Sequence, residues 1–130
     1  LAHNPVEELS PVLSTEEVLQ LQKECRQVRI SPDIRTYIIR IVRATREQAS
    51  VQLGASPRAM IGLSRTSQAL AALRGRTFVI PDDVKYLAPY VLSHRIIPAT
   101  TLSLKGHSGE DIIREVLASV PAPVEIESLN

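Results

Sequence analysis

Among these 130 residues, one arginine stands where its charge could meet a phosphate: Arg58, in Gly54-Ala55-Ser56-Pro57-Arg58-Ala59. Ser56 is of the type that caps a helix, with a hydroxyl able to accept a first-turn amide N–H. Pro57 suits the first helical position, where a missing N–H costs nothing. Arg58 is then expected in the first turn of a rigid helix, with its guanidinium free to leave the domain. The helix dipole disfavours a cation there by a few tenths to about 1 kcal/mol. The combined positive field suits an anion such as a phosphate. The plainer alternative is an arginine on a solvated face.

Other chemistry-bearing residues carry less. Arg35, Arg40, Arg43 and Arg46 fall on one face of a predicted helix. Four arginines in that arrangement raise a nucleic-acid or phosphate reading. No aromatic is interleaved for base stacking, so a solvated face or a subunit contact is the simpler expectation. Cys25 lies on an apolar stripe and reads as a small core residue. His94 is expected near a helix end with no second ligand at metal-binding spacing. His3 and His107 fall in loops. There is no glycine-rich phosphate loop, no acidic pair for Mg2+, no nucleophile–base arrangement and no metal cluster. The chain therefore carries no self-sufficient catalytic site.

The elements that must position Arg58 are mostly helical. Residues 1–13 hold two prolines and no period, and read as an extended lead-in. Ser14 opens a helix with a capping box to Glu17, and Val18, Leu21, Cys25 and Val28 form its stripe. Val28–Ile30 reads as a short strand. Ser31 and Pro32 start a helix to about Gln48, with Ile34, Tyr37, Ile38, Ile41 and Thr45 on its inner side. Residues 49–55 form a loop. The helix from Pro57 to Arg74 turns Met60, Leu63, Leu70 and Leu73 inward and ends at Gly75. Gly62 costs this helix roughly 1 kcal/mol relative to alanine, a cost that either permits close approach of a neighbour or is simply neutral here. Arg76–Ile80 reads as a brief strand, paired with Val28–Ile30. Pro81-Asp82-Asp83-Val84 starts the next helix, with Val84, Leu87, Ala88 and Val91 inside and a kink or break expected at Ala88, before Pro89. Residues 96–106 read as irregular, with a strand at Thr100–Leu104. Ser108 and Asp111 cap a last helix with Ile113, Val116, Leu117 and Val120 inward, stopped by Pro121-Ala122-Pro123.

Composition sets the class. The chain is 44% apolar but only 3% aromatic, with no tryptophan and one phenylalanine, so its core is aliphatic and suits packed helices. The expected fold is all-α: a small bundle of about five helices with one or two short strand pairings. A net charge of +1 gives no overall pull toward nucleic acid or an anionic membrane. One cysteine allows no internal disulfide, and no signal peptide or run of about 18 apolar residues is visible. A cytoplasmic, reducing location is expected. The chain opens at Leu1 without a methionine and reads as a piece of something longer.

These residues resemble a known family. Gly54-Ala55-Ser56-Pro57-Arg58-Ala59 is similar to the sensor 2 motif of MoxR-type AAA+ ATPases. Gly75-Arg76, Val79-Ile80-Pro81-Asp82-Asp83-Val84, Leu87-Ala88-Pro89 and Leu92-Ser93-His94-Arg95 resemble that family's C-terminal lid, in the same order from about Leu9 to Pro123. The pattern departs at Ile80, where a small capping residue is usual. The resemblance implies a linker over residues 1–13, a helical lid over 14–120 and a loose tail over 121–130. It implies an N-terminal partner domain holding ATP and Mg2+, with Arg58 reaching the γ-phosphate from Ser56 and Pro57, and no metal held by the lid. It also implies a hexameric ring with chaperone-like remodelling activity, often alongside proteins bearing von Willebrand factor A domains. Two alternatives stand beside it: a helical DNA-binding or histone-fold-like module using the Arg35–Arg46 face, and a protein-interaction bundle with no nucleotide role.

Overall fold

The computed structural model describes residues 5–100 and 106–124. Five helices carry the fold among them: α1 (Thr15–Gln27), α2 (Pro32–Glu47), α3 (Pro57–Leu73), α4 (Pro81–Leu92) and α5 (Gly109–Ser119). Strands β1 (Val51–Leu53) and β2 (Ile97–Pro98) pair antiparallel, Val51 opposite Pro98 and Leu53 opposite Ile97. Single 3-10 turns lie at Pro5–Glu8 and Ser93–Arg95. The expected all-helical bundle with little strand is what forms.

Serine hydroxyls open three helices. Ser14 accepts from the Glu17 amide at 3.1 Å, Ser31 from Ile34 at 3.2 Å and Ser108 from Asp111 at 3.2 Å. Glu17 and Asp111 reach back to complete capping boxes. Hydrogen bonds from the Ser108 hydroxyl and amide hold the Asp111 carboxyl below its ordinary pKa.

The core lies between α2, α3, α4 and α5. α2 supplies Ile34, Tyr37, Ile38, Ile41 and Val42, and α5 supplies Ile112, Ile113 and Val116. Thr45 is buried on the same side of α2. α3 departs from expectation. Its buried line is Ala59, Leu63, Ser67 and Ala71, while Met60 and Leu70 are half-buried and Leu73 is 85% exposed. Three small side chains in that line let the helix seat closely, so the large residues fall to its flanks. α1 differs more: none of its residues is buried, Val18 and Leu21 are 40% and 48% exposed, and Cys25 is half-buried. The helix is tied in at its C-terminal end, where Gln68 Nε2 donates to the carbonyl of buried Val28 at 2.6 Å.

The expected pairing of Val28–Ile30 with Arg76–Ile80 contracts to one parallel bridge between Arg29 and Phe78. Its bonds are Arg29 N to Thr77 O at 2.9 Å and Val79 N to Arg29 O at 3.0 Å. The residues expected to form a loop before Ala55 contain β1 instead. Its partner is Ile97–Pro98, and the strand expected at Thr100–Leu104 falls, past Thr100, outside the described residues. α4 runs unbroken through Pro89 to Leu92. The carbonyl that loses its bond to proline belongs to Lys85, an exposed residue whose backbone water can reach. Gly75 ends α3 at φ +72°, a conformation that suits glycine.

Gly62 is not held by crowding. A Cβ there would meet only Val91 Cγ1, at an ordinary 3.7 Å. Gly62→Ala should therefore stabilise the domain by about 0.5–1 kcal/mol through helix propensity and a stiffer unfolded chain. Urea denaturation of the two proteins checks this, and a lower midpoint for the alanine variant would contradict it.

Candidate functional site

Arg58 lies in the first turn of α3 and is exposed, and its side chain makes no ion pair or hydrogen bond among the described residues. Pro57 occupies the first helical position, as expected. Ser56 does not act as expected. Its backbone is extended, at φ −82° and ψ 165°, but its hydroxyl accepts no capping bond. The Ala59 amide, which a capping hydroxyl would take, donates to the Ser56 carbonyl at 2.9 Å. The Ser56 hydroxyl, two residues before Arg58, has no hydrogen bond among the described residues.

The start of α3 is held from below. Ala55 is completely buried. Its amide donates to Thr45 Oγ1 at 3.0 Å, and its carbonyl accepts from Arg46 Nε at 2.9 Å. Thr45 in turn donates to the Val42 carbonyl at 2.7 Å. Gly54 makes this approach possible: a Cβ there would stand 2.5 Å from Arg46 Cγ and 2.8 Å from Arg46 Cα. Backbone cannot yield as a flexible side chain can, so a larger residue would push the segment off α2. Neither α2 residue stands out as part of the site in sequence. Thr45 reads as a core position and Arg46 as one of a row of arginines. The small residues before Ser56 are the one hint of a close approach.

That row does not act as one surface. Arg46 is engaged with Ala55, and Arg40 lines a cavity of about 170 Å³ with Asp33, Thr36, Tyr37 and Pro121–Pro123. Arg35 and Arg43 are exposed, with no side-chain partner among the described residues. His94 is exposed in a 3-10 turn, and His107 lies 3.7 Å from Glu115. His3 falls outside the described residues. Among the described residues no group of three or more His, Cys, Asp or Glu could hold a metal ion, and no helix is long and apolar enough to cross a membrane.

A second polar cluster ties α3 to α4. Asp83 is completely buried. Its carboxylate accepts from Arg76 at 2.6 and 2.7 Å, from Arg74 at 3.1 Å and from the Ile80 amide at 3.1 Å. Burial alone would raise its pKa, but the hydrogen bonds from Arg76 and Ile80 and the charges of Arg76 and Arg74 outweigh it and hold the carboxyl low. An apolar residue can stand at this helix start because the amide that a capping hydroxyl would take, that of Asp83, donates to the Ile80 carbonyl at 3.1 Å, while the Asp83 carboxylate takes the Ile80 amide. Arg74 also lies over the Tyr86 ring, 5.3 Å from its centroid. In sequence Asp83 reads as one of two acids suited to the helix dipole, and only the preceding Gly75-Arg76 hints at its partner.

Fold and site define the class: among the described residues, five helices and a two-stranded ribbon present an uncommitted arginine from a pinned helix start. A family model described as "AAA lid domain" matches residues 43–116, from the last turn of α2 through most of α5. The chain belongs to this family. It is 43% identical over 122 residues to the Bacillus subtilis protein YeaC, covering 94% of this chain and 38% of YeaC. It is 35% identical over 121 residues to chaperone MoxR1 of Mycobacterium tuberculosis, covering 86% of this chain and 32% of that protein. A crystal structure described as that of a candidate ATPase from Cytophaga hutchinsonii superposes with a TM-score of 0.79 at 34% identity. That match covers 84% of this chain and 36% of the other. The chain thus spans about a third of the length of these relatives.

Proposed function

We propose that this chain is the C-terminal lid of a MoxR-type AAA+ ATPase, closing over ATP bound to a core N-terminal to it, with Arg58 as the sensor 2 arginine. Residues 1–13 would be the linker from that core, 14–120 the lid and 121–130 a loose tail. The observation that carries this reading is the placement of Arg58: exposed, unpaired among the described residues, and launched from a helix start that α2 pins at Ala55. The neighbouring groups fit an anion. Arg58 brings a fork of donors, the Ser56 hydroxyl is uncommitted, and the positive end of α3 lies beside both. Mg2+ would be held by the core.

Bound Mg2+–ATP supplies the phosphoanhydride to be cleaved. The lid's part is to orient and neutralise. On closure of the lid as one body, the Arg58 guanidinium would enter the cleft and could donate to γ-phosphate oxygens. Ser56 and Pro57 set where Arg58 begins. The assembly would be a hexameric ring in the cytoplasm, remodelling partner proteins in the manner of a chaperone, including partners with von Willebrand factor A domains.

The full-length protein should hydrolyse ATP, and residues 1–130 alone should not. Phosphoryl transfer needs a phosphate cradle, Mg2+ and an oriented water, and the lid brings one arginine. Phosphate release by both proteins, freed of contaminating ATPase, checks this. Turnover by the isolated chain, or none by the full-length protein, would sink the reading.

A further inference from the structure

We infer that Thr45 and Arg46 are positioning residues for Arg58, an inference that rests on the function proposed above. Helix α3 lacks a side-chain cap of its own, because the Ser56 hydroxyl is not used. What sets the direction of its first turn is therefore the residue before Ser56. Ala55 is completely buried, and both of its polar backbone groups are taken by consecutive side chains from the end of α2.

The two bonds act from different sides. Thr45 holds the amide from within the core, where it is itself completely buried. Arg46 holds the carbonyl from outside, with its stem lying across Gly54, where there is no room for a Cβ. Two opposed hydrogen bonds and a close backbone contact leave Ala55 little freedom to rotate. Arg58 follows three residues later, through an extended serine and a proline whose φ is fixed. A small tilt at Ala55 would swing the guanidinium by more, because the side chain extends beyond the pivot. The end of α2 and the start of α3 thus form one rigid corner, and lid closure delivers Arg58 to one place. Arg46 uses only its Nε in this role; it lies in the last turn of α2, where its charge also suits the helix dipole.

The test uses the full-length ATPase and a double-mutant cycle. Steady-state kcat and KM for ATP are measured for wild type, Arg46→Met, Arg46→Gln, Arg58→Ala and the Arg46→Met/Arg58→Ala double variant. Arg46→Met keeps an unbranched stem across Gly54 but has no donor, and should lower kcat about tenfold, with KM for ATP changed by less than about threefold, since misplacing a catalytic group slows the reaction. Arg46→Gln should recover most of the rate, because its Nε2 stands as many bonds from Cα as the arginine Nε and can still donate to the Ala55 carbonyl. In the Arg58→Ala background, Arg46→Met should cost almost nothing further, because no guanidinium is left to misplace. A merely structural loss would cut both backgrounds by the same factor, and that result overturns the inference, as does a wild-type kcat for Arg46→Met. If Arg58→Ala itself is fully active, the sensor reading fails and takes this inference with it. A crippled Arg58→Ala beside a multiplicative cycle fails the positioning role alone.

Discussion

Arg58→Ala should lower ATP hydrolysis by the full-length protein by about 10²–10³-fold while leaving the lid folded. The rate loss follows from the proposed role. A donor aimed at charge that develops in the transition state is worth several kcal/mol in a site closed to water. The unchanged fold follows from the structure. Arg58 is exposed, has no partner among the described residues, and fills no part of the core. Substitutions of that kind stay within about 0.5 kcal/mol. Arg58→Ala could even gain slightly, since a cation at a helix N-terminus works against the dipole. Arg58→Lys should recover part of the rate, because an ammonium cannot donate as a planar fork. The measurements are steady-state ATPase on the three full-length proteins and thermal melts of the three lids. Near-normal turnover by Arg58→Ala would make it an ordinary surface arginine.

Where sequence and structure agree, one physical signal dominated locally. Serines with a free hydroxyl and an acid three residues on start α1 and α5 as expected. The apolar stripe of α2, from Ile34 to Thr45, is buried as its period predicts. Disagreement arises where a second element decides. α1 carries an amphipathic pattern and touches α3, yet Val18 and Leu21 are covered only in part. A period tells which face is apolar, not whether anything packs against it. On α3 large residues suggested one face and small ones took another, because close packing of α3 with its neighbours favours Ala59 and Ala71. β1 is three residues long and finds its partner more than forty residues away, so no local period marks it. The exposed place of Arg58 in the first turn of α3 was legible from Pro57. The Ser56 hydroxyl was misjudged because the competing acceptor is the Ser56 carbonyl. Thr45 and Arg46 were out of reach for the same reason as β1: their partner, Ala55, is fixed by tertiary contact alone.

The second large effect should come from Asp83→Asn, which should destabilise the lid by about 3 kcal/mol at pH 7. Asp83 has no exposure to water, and its two oxygens together accept four hydrogen bonds, three of them from guanidinium groups. An amide keeps the shape but loses the charge, and its NH2 group would face donors. Removing one partner of a buried pair costs about 3–5 kcal/mol. The low end applies because Arg74 and Arg76 keep 44% and 23% of their side chains in water and can turn outward. The effect should also depend on pH in one direction. The folded protein holds the Asp83 carboxyl below its ordinary value, while the unfolded chain titrates near 3.9. Below that value the unfolded state binds a proton that the folded state still refuses, so acid favours unfolding. The stabilisation from Asp83 is complete above about pH 4 and is lost as pH falls through the lower folded value. Wild type should therefore stay well above Asp83→Asn in melting temperature from pH 7 to pH 5, and the gap should narrow progressively below pH 4. Thermal melts of both lids at pH 7, 5, 4 and 3 decide it. A difference under 1 kcal/mol at pH 7 would mean that the arginines gain nothing from Asp83 beyond what water offers them. A gap that stays constant down to pH 3 would show that the carboxyl is not held low.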